Sequence, residues 1–246
     1  MDVTGKVALV SGAARRVGRA IALELARTGC DLAIHYRTSN EEARNLAAEI
    51  QRLGRRTALV SGDLAKTATP QHVIDQTVDR LGRLDILVNN ASVFSKTPLA
   101  QADAAAWNTM LRVNVIAPAL LARAAAPLMQ SAGGGRIINL VDMLADRPVK
   151  AYGPYCASKA ALANLTRTLA LELAPQVTVN AVAPGIAVFP QDVDKELRSR
   201  LIARVPLSRE GTPEEIAAVV RFLVIEGDYI TGQIIHVDGG WSQTSV

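Results

Sequence analysis

The sequence predicts a single α/β domain in which a parallel sheet is covered by helices on both faces, and three observations lead there. Short aliphatic runs alternate with longer amphipathic segments, the pattern of strands buried on both sides and joined by helical crossovers. The first run, in "KVALVSGAARRVGRAIALELARTG" (6–29), passes through a glycine turn straight into a helical pattern. With 246 residues, 49% of them hydrophobic, and no compositional break, internal repeat or low-complexity stretch, the chain can close one large core over 1–246.

Taken in order, strands are expected near 6–11, 31–36, 57–61, 84–90, 135–141, 177–182 and 233–237, about seven in a doubly wound, Rossmann-type sheet. Ser39 followed three residues later by Glu42 reads as a capping box opening a helix that runs to about Leu53. Long helices are expected around 101–130 and 151–174, and "PEEIAAVVRFLV" from Pro213 has the proline and acids of a helix N-terminus. Between them, 185–212 carries Pro190 and Pro206 around a polar stretch, long enough for a substrate loop that covers a site.

The bulk properties exclude several classes of function. A net charge of +4 on scattered basic residues, with only 4% aromatics, gives no basic stripe with stacking platforms, so a nucleic-acid partner is not expected. A pI near 9.3 is equally well explained by arginines that meet a phosphorylated small ligand. Cys30 and Cys156 are too few for a disulfide framework, and the dispersed His35, His72 and His236 make no ligand set, so no metal is expected. The start "MDVTGKVALV" enters a strand without the succession of a signal peptide, and no apolar run reaches the ~20 residues of a membrane span, so the expectation is a cytoplasmic protein.

The glycine turn points to a dinucleotide. Five residues separate Gly12 from Gly18, which excludes the spacing of a P-loop, with Val17 and Gly18 where its Gly and Lys belong. Gly12 lets the chain turn after the strand, and Gly18 lets the helix approach both sheet and cofactor. An acid at the end of the second strand would bind the adenosine ribose and repel a 2′-phosphate; "IHYRTSN" instead offers Arg37 and Ser39, which favours NADPH over NADH. In "SGDLAK", Asp63 is placed to meet the adenine amino group and suits a helix cap equally well.

The chemical end lies in "YCASK". Tyr155 and Lys159 share a helix face at i and i+4, and a nearby ammonium is expected to favour the tyrosine phenolate. Asn114 in "LRVNVIAP", "LVNNAS" after the fourth strand and "AVAPG" after the sixth occur in the order needed to surround one cleft.

Along nearly its full length, from the glycine turn to "ITGQIIHVDGG", the chain resembles the short-chain dehydrogenases/reductases. By motif match, the resemblance implies that Tyr155 donates a proton, that Lys159 tunes it and holds the nicotinamide ribose, and that Asn114 maintains a water chain. It also implies cofactor contacts along Gly12, Arg16, Val17, Gly18, His35, Tyr36, Arg37, Ser39, Asp63, Leu64, Asn89 and Ala91, with Pro184 and Gly185 near the nicotinamide. A dimer or tetramer built on the two long helices, most simply a homotetramer, is implied as well.

Three departures from the family pattern shape the substrate expectation. Arg16 stands where the family usually has glycine, and Asp142 stands thirteen positions before Tyr155, where it usually has the serine that orients a carbonyl. An ionised carboxylate only accepts hydrogen bonds and would repel a carbonyl oxygen gaining charge, so a ring rich in amidine-like nitrogen suits this pocket better. Arg16, Phe94, Asp142, Tyr155 and Lys159 together resemble the pteridine reductase branch. That resemblance implies that Phe94 stacks the ring, Arg16 bridges cofactor phosphate and substrate, and Ser92 bonds nearby. The third departure is Phe189, where a threonine often follows the Pro-Gly turn; it is taken as a second aromatic over a planar ligand. The expected activity is NADPH-dependent reduction of a dihydropterin or dihydrofolate C=N bond. A 3-oxoacyl thioester reductase is the alternative on the same fold, and a noncatalytic NADPH sensor the alternative from another class.

Overall fold

Alternation along the first strand decides the layering. In β1 (Val7–Val10), Ala8 and Val10 enter one apolar cluster while Val7 and Leu9 enter another, and all four are fully buried. Successive strand side chains point to opposite faces, so a strand apolar at every position must be covered on both sides. The computed structural model describes all residues except 188, 190–193, 245 and 246.

β2 (Asp31–Tyr36), β3 (Thr57–Ser61), β4 (Ile86–Asn89), β5 (Gly135–Leu140), β6 (Val177–Pro184) and β7 (Ile234–Val237) complete the sheet. The spatial order is β3-β2-β1-β4-β5-β6-β7, and every neighbouring pair is parallel. The helices are α1 (Arg16–Arg27), α2 (Asn40–Arg52), α3 (Thr69–Leu81), α4 (Ala104–Leu111), α5 (Ala117–Ser131), α6 (Gly153–Leu173), α7 (Lys195–Ile202) and α8 (Pro213–Ile225). α1, α2 and α8 bury Ile21, Leu25, Leu46, Ile50, Val220 and Leu223 on one face. α3, α5 and the last turns of α6 cover the other. β1 lies between β2 and β4, where the chain reverses its direction of travel across the sheet, and a crevice opens there beyond the carboxyl ends of the strands.

Every expected strand is found within two residues of its predicted ends. Three expectations need correction. Ser39 does stand at the N-cap of α2, but its side chain makes no capping bond, so the Ser39–Glu42 box does not form. The reciprocal box forms instead at α8, where Glu215 N–H donates to the Thr212 hydroxyl and the Glu215 carboxylate accepts from Thr212 N–H. The 185–212 segment carries α7, capped by Asp194, so it is not an irregular loop; the neighbourhood of Pro190 lies outside the described residues. Finally, the helical stretch Ala104–Ser131 is long and apolar enough to cross a membrane by length and composition, although no such run was expected. Its Ala117, Leu121, Ala122, Ala125 and Met129 are buried against the sheet, the use a core helix makes of the same composition.

The opposite, amino ends of the central strands are held by a charge cluster. Asp85, just before β4, is 1% exposed and accepts from Val7 N–H at 3.0 Å and from Arg83 at 2.6 and 2.7 Å, with Lys6 at 3.3 Å. Burial opposes its ionisation, but these donors and cations outweigh burial and hold its pKa below 3.8. A carboxyl with a depressed folded pKa contributes stability that is present above its unfolded value and lost as pH falls through the folded one. Asp85→Asn is therefore expected to cost about 3 kcal/mol at neutral pH, the low end for breaking a buried ion pair, because Lys6 and Arg83 keep some solvent. In urea titrations the gap from wild type should narrow in acid; a gap independent of pH would count against the electrostatic reading.

Candidate active site

The crevice begins with the turn between β1 and α1. Gly12 has φ 63°, and a Cβ there would lie 3.1 Å from the Ala91 Cα. At Gly18 a Cβ would sit 2.4 Å from the Gly12 carbonyl oxygen and 2.5 Å from the Asn90 Nδ2. The turn is clamped by the end of β4. Asn90 Nδ2 donates to the carbonyls of Ser11 (2.9 Å) and Gly12 (3.2 Å), and the Ser11 hydroxyl accepts from Asn90 N–H and Ala91 N–H. His35 supports the turn from beneath: its Nδ1 accepts from Gly12 N–H at 3.2 Å, which leaves Nε2 to donate to Gly62 O at 3.1 Å. Burial pushes its pKa down to about 4, so it stays neutral in this bridge. The expectation of a cofactor contact at His35 is corrected accordingly: its ring is 2% exposed in position and both nitrogens are spent on the scaffold.

Arg16 opens α1 with φ 51°, a left-handed conformation that costs a non-glycine residue about 1 kcal/mol. That backbone explains why glycine would be the default here. Its neighbours are engaged, Arg15 with Glu42 at 3.6 Å and Arg19 with Glu49, whereas Arg16 is exposed and has no ion pair among the described residues. A strained backbone carrying an unpaired cation at a helix N-terminus suits an anionic ligand. Arg16→Gly is expected to leave thermal stability at or up to about 1 kcal/mol above wild type while weakening NADPH binding. Lower stability with unchanged cofactor affinity would show that the arginine is structural.

At the adenine end, Arg37 is exposed and the Ser39 hydroxyl is left unused by the helix it caps, so both are available to a phosphate. Tyr36 donates its hydroxyl to Asn40 at 3.1 Å. Asp63 caps its own turn through Ala65 N–H at 3.0 Å, and the side chains of Leu64 and Val17 pack into the two cores, leaving their main chains to a ligand. Asn89 is buried: Nδ2 donates to Asn139 at 2.8 Å, while Oδ1 has no partner among the described residues. Gly185 follows Pro184 at the end of β6 and bonds to Val237 O at 3.0 Å. The glycine cradle, the exposed Arg16 with no ion pair among the described residues, the exposed Arg37 and the Ser39 hydroxyl fit a phosphorylated dinucleotide.

The chemical end is built from four elements. Asp142 leaves β5 in extended backbone and caps a short turn through Leu144 N–H; its Oδ2 accepts from the Tyr155 hydroxyl at 2.6 Å. Lys159, fully enclosed on α6, donates to Leu140 O at 2.8 Å and lies 5.8 Å from the Tyr155 ring centre. Asn114 sits inside a π-helical turn, Arg112–Ile116, between α4 and α5, the local widening often found at functional sites. Its side chain clamps Val93 by both main-chain groups and accepts from Ser92 at 3.1 Å.

The charges here run against one expectation. Lys159 was expected to draw the Tyr155 pKa down. Instead burial, then the Asp142 charge and its hydrogen bond, hold the phenol well above 10. Asp142 is itself pushed up by burial, against the pull of Tyr155, Leu144 N–H and Lys159. Burial brings Lys159 down to about 8, with Asp142 opposing. The phenol is thus kept protonated first by its burial and then by the adjoining carboxylate.

Phe94 is 52% exposed and turns its edge to Tyr155 at 4.7 Å between ring centres, so it is not a core residue. Its face stacks on Tyr152 at 4.9 Å. Phe189 is not brought to this pair. Its ring is taken by the Arg198 guanidinium of α7 at 5.2 Å, which corrects its expected place over a planar ligand. Sequence reasoning missed Ser11, Arg15, Asn90, Tyr152 and Ser158. Arg15, adjoining Arg16 in a glycine turn, and Tyr152, three residues before Tyr155 on one helix edge, carried signals that spacing could have shown.

Residues 12–242 match the family described as enoyl-(acyl carrier protein) reductase. A 3-oxoacyl-[acyl-carrier-protein] reductase of Synechocystis is 37% identical across 97% of both chains, and one from Staphylococcus epidermidis is 35% identical over 96% of this chain and 98% of its own. These names correspond to the thioester alternative more closely than to pterin reduction. Among solved structures, a blue fluorescent protein from a metagenomic library, in complex with NADPH, superposes with a TM-score of 0.91 at 35% identity, covering 98% of this chain and 99% of its own. A putative short-chain alcohol dehydrogenase from Sinorhizobium meliloti 1021 gives 0.94 at 35% identity, covering 99% of each. A seven-stranded parallel sheet, a glycine turn at its switch point and this extent of similarity together make the chain a member of the short-chain dehydrogenase/reductase family.

Proposed function

We propose that this oxidoreductase reduces the C=N bond of a dihydropterin or dihydrofolate to the tetrahydro form, with NADPH as cofactor. One observation carries the reading: the 2.6 Å bond from the Tyr155 hydroxyl to Asp142, a carboxylate where carbonyl chemistry needs a neutral donor. NADPH supplies the hydride when bound. Arg37 and Ser39 would hold its 2′-phosphate, while the Gly12–Gly18 turn, the N-terminus of α1 and Arg16 would hold its pyrophosphate.

The protein's own part is to seat the ring and move a proton. Phe94 offers an exposed face for stacking, and Asp142 accepts from the amino and ring N–H groups that a pterin presents along one edge. Tyr155 gives its proton to the ring nitrogen. The phenolate left beside Asp142 places two negative charges in hydrogen-bond contact, so a proton is promptly drawn back from solvent, and the Lys159 ammonium and Asn114 turn stabilise the interval.

The 3-oxoacyl thioester reading is favoured by the names of the relatives, and Asp142 opposes it. NADPH oxidation with dihydrobiopterin, dihydrofolate and an acetoacetyl thioester in parallel separates the two. The pterin reading expects turnover of a pterin; turnover of the thioester alone would overturn it, and cofactor binding without turnover would favour a sensor. A homotetramer is proposed on α5 and α6, where Ile116, at the end of the π turn that leads into α5, and Leu171 of α6 are exposed (Leu171 84%). Sedimentation at a single-chain mass would rule it out.

A further inference from the structure

We infer that Ser158 is a positioning residue that ties the proton donor to the ring-stacking loop, an inference that rests on the proposed seating of the substrate on Phe94. Ser158 is completely enclosed. Its hydroxyl donates to the Tyr155 carbonyl at 2.7 Å and accepts from Asn114 Nδ2 at 3.0 Å. From Asn114 the chain continues without a gap. Nδ2 also donates to Val93 O at 3.0 Å, while Oδ1 accepts from Val93 N–H at 2.9 Å and from the Ser92 hydroxyl at 3.1 Å.

The direction of these bonds is determined at each link. The Tyr155 carbonyl can only accept, so Ser158 must donate to it; the Ser158 oxygen then accepts from the amide NH₂, in keeping with an Asn114 Oδ1 that faces Val93 N–H and Ser92. One hydroxyl therefore adds a third fixed point to a buried amide, whose orientation Val93 O and N–H already set, and anchors to α6 the group that holds the residues immediately before Phe94. It joins α6, the π turn and the loop after β4 into one unit, with Phe94 edge-on to Tyr155 at 4.7 Å. The network couples the Tyr155 main chain to the loop that carries Phe94, and through it contributes to the spacing between the stacked ring and the phenol. A misplacement of about 1 Å in such a spacing costs on the order of 100-fold in rate.

Ser158→Ala removes the hydroxyl from a helix that tolerates alanine, and Ser158→Cys keeps the volume with a weaker donor. Two readouts are taken with the full-length protein. In hydrogen exchange, the Val93 amide, which donates to Asn114 Oδ1, should lose at least about tenfold protection in the alanine variant, with β1 and β2 unchanged. In kinetics, kcat/KM for dihydrobiopterin should fall about 10- to 100-fold with the NADPH Kd within about twofold, and the cysteine variant should fall between. Unchanged exchange at Val93 would overturn the inference whether or not pterin is the substrate. A loss of kcat/KM matched by an equal loss of NADPH affinity would make Ser158 merely structural. Wild-type failure to turn over pterin, with the exchange result as expected, would fault the substrate reading and leave the positioning role standing.

Discussion

Asp142→Ser is expected to lower pterin turnover by at least about 100-fold, the scale for losing one charged partner of the reacting group, and to leave NADPH affinity within about twofold. The carboxylate is the acceptor of the Tyr155 hydroxyl at 2.6 Å and lies beyond β5, away from the glycine turn that serves the pyrophosphate. Serine supplies one donor where the aspartate supplies two acceptor oxygens, so the ring edge loses its partner and a carbonyl oxygen gains one. A rise in thioester turnover should accompany the loss. The pH dependence gives an independent sign. Burial and the Asp142 charge both hold the Tyr155 pKa up, and the substitution removes the charge. The alkaline limb of the kcat profile, where the proton donor is lost, should shift to lower pH. Equal losses in turnover and NADPH binding would reduce Asp142 to a cap of its own turn.

Gly18→Ala should raise the NADPH Kd at least about 30-fold, equivalent to about 2 kcal/mol. The added methyl would meet the Gly12 carbonyl oxygen at 2.4 Å and the Asn90 Nδ2 at 2.5 Å, neither of which can yield alone. Gly12 cannot move without opening the clamp that Asn90 and Ser11 form on the turn, and Asn90 cannot move without leaving two carbonyls unpaired. Overpacking of this kind costs about 1–3 kcal/mol of stability as well. Isothermal titration and thermal denaturation on the same preparation test both; an alanine variant that binds NADPH as tightly as wild type would mean the turn is not the pyrophosphate cradle.

The strands, the doubly wound sheet and the positions of Tyr155, Lys159 and Asn114 were legible because each rests on local pattern. Period-two and period-3.6 spacing of apolar residues depends only on neighbours in the chain, and i, i+4 pairing is a property of one helix. His35 was misread for the opposite reason. A histidine in a segment after the glycine turn looks like a cofactor contact until the fold brings Gly12 N–H and Gly62 O to its two nitrogens, from 23 and 27 residues away. Ser39 was misread because a capping box needs the N-cap backbone in the extended region, whereas Ser39 has φ −82° and ψ 62° and its hydroxyl makes no capping bond.

By itself the sequence determined the architecture and the order of the elements, since those follow from local periodicity and from short connections that leave few topologies. Only the tertiary structure decided what those residues do to one another. The Tyr155 pKa is raised and not lowered because Asp142, thirteen residues earlier on a different element, meets its hydroxyl in a buried site while Lys159 turns to Leu140 O. Electrostatics in a low-dielectric cleft depends on distance and burial, and neither is encoded in spacing along the chain.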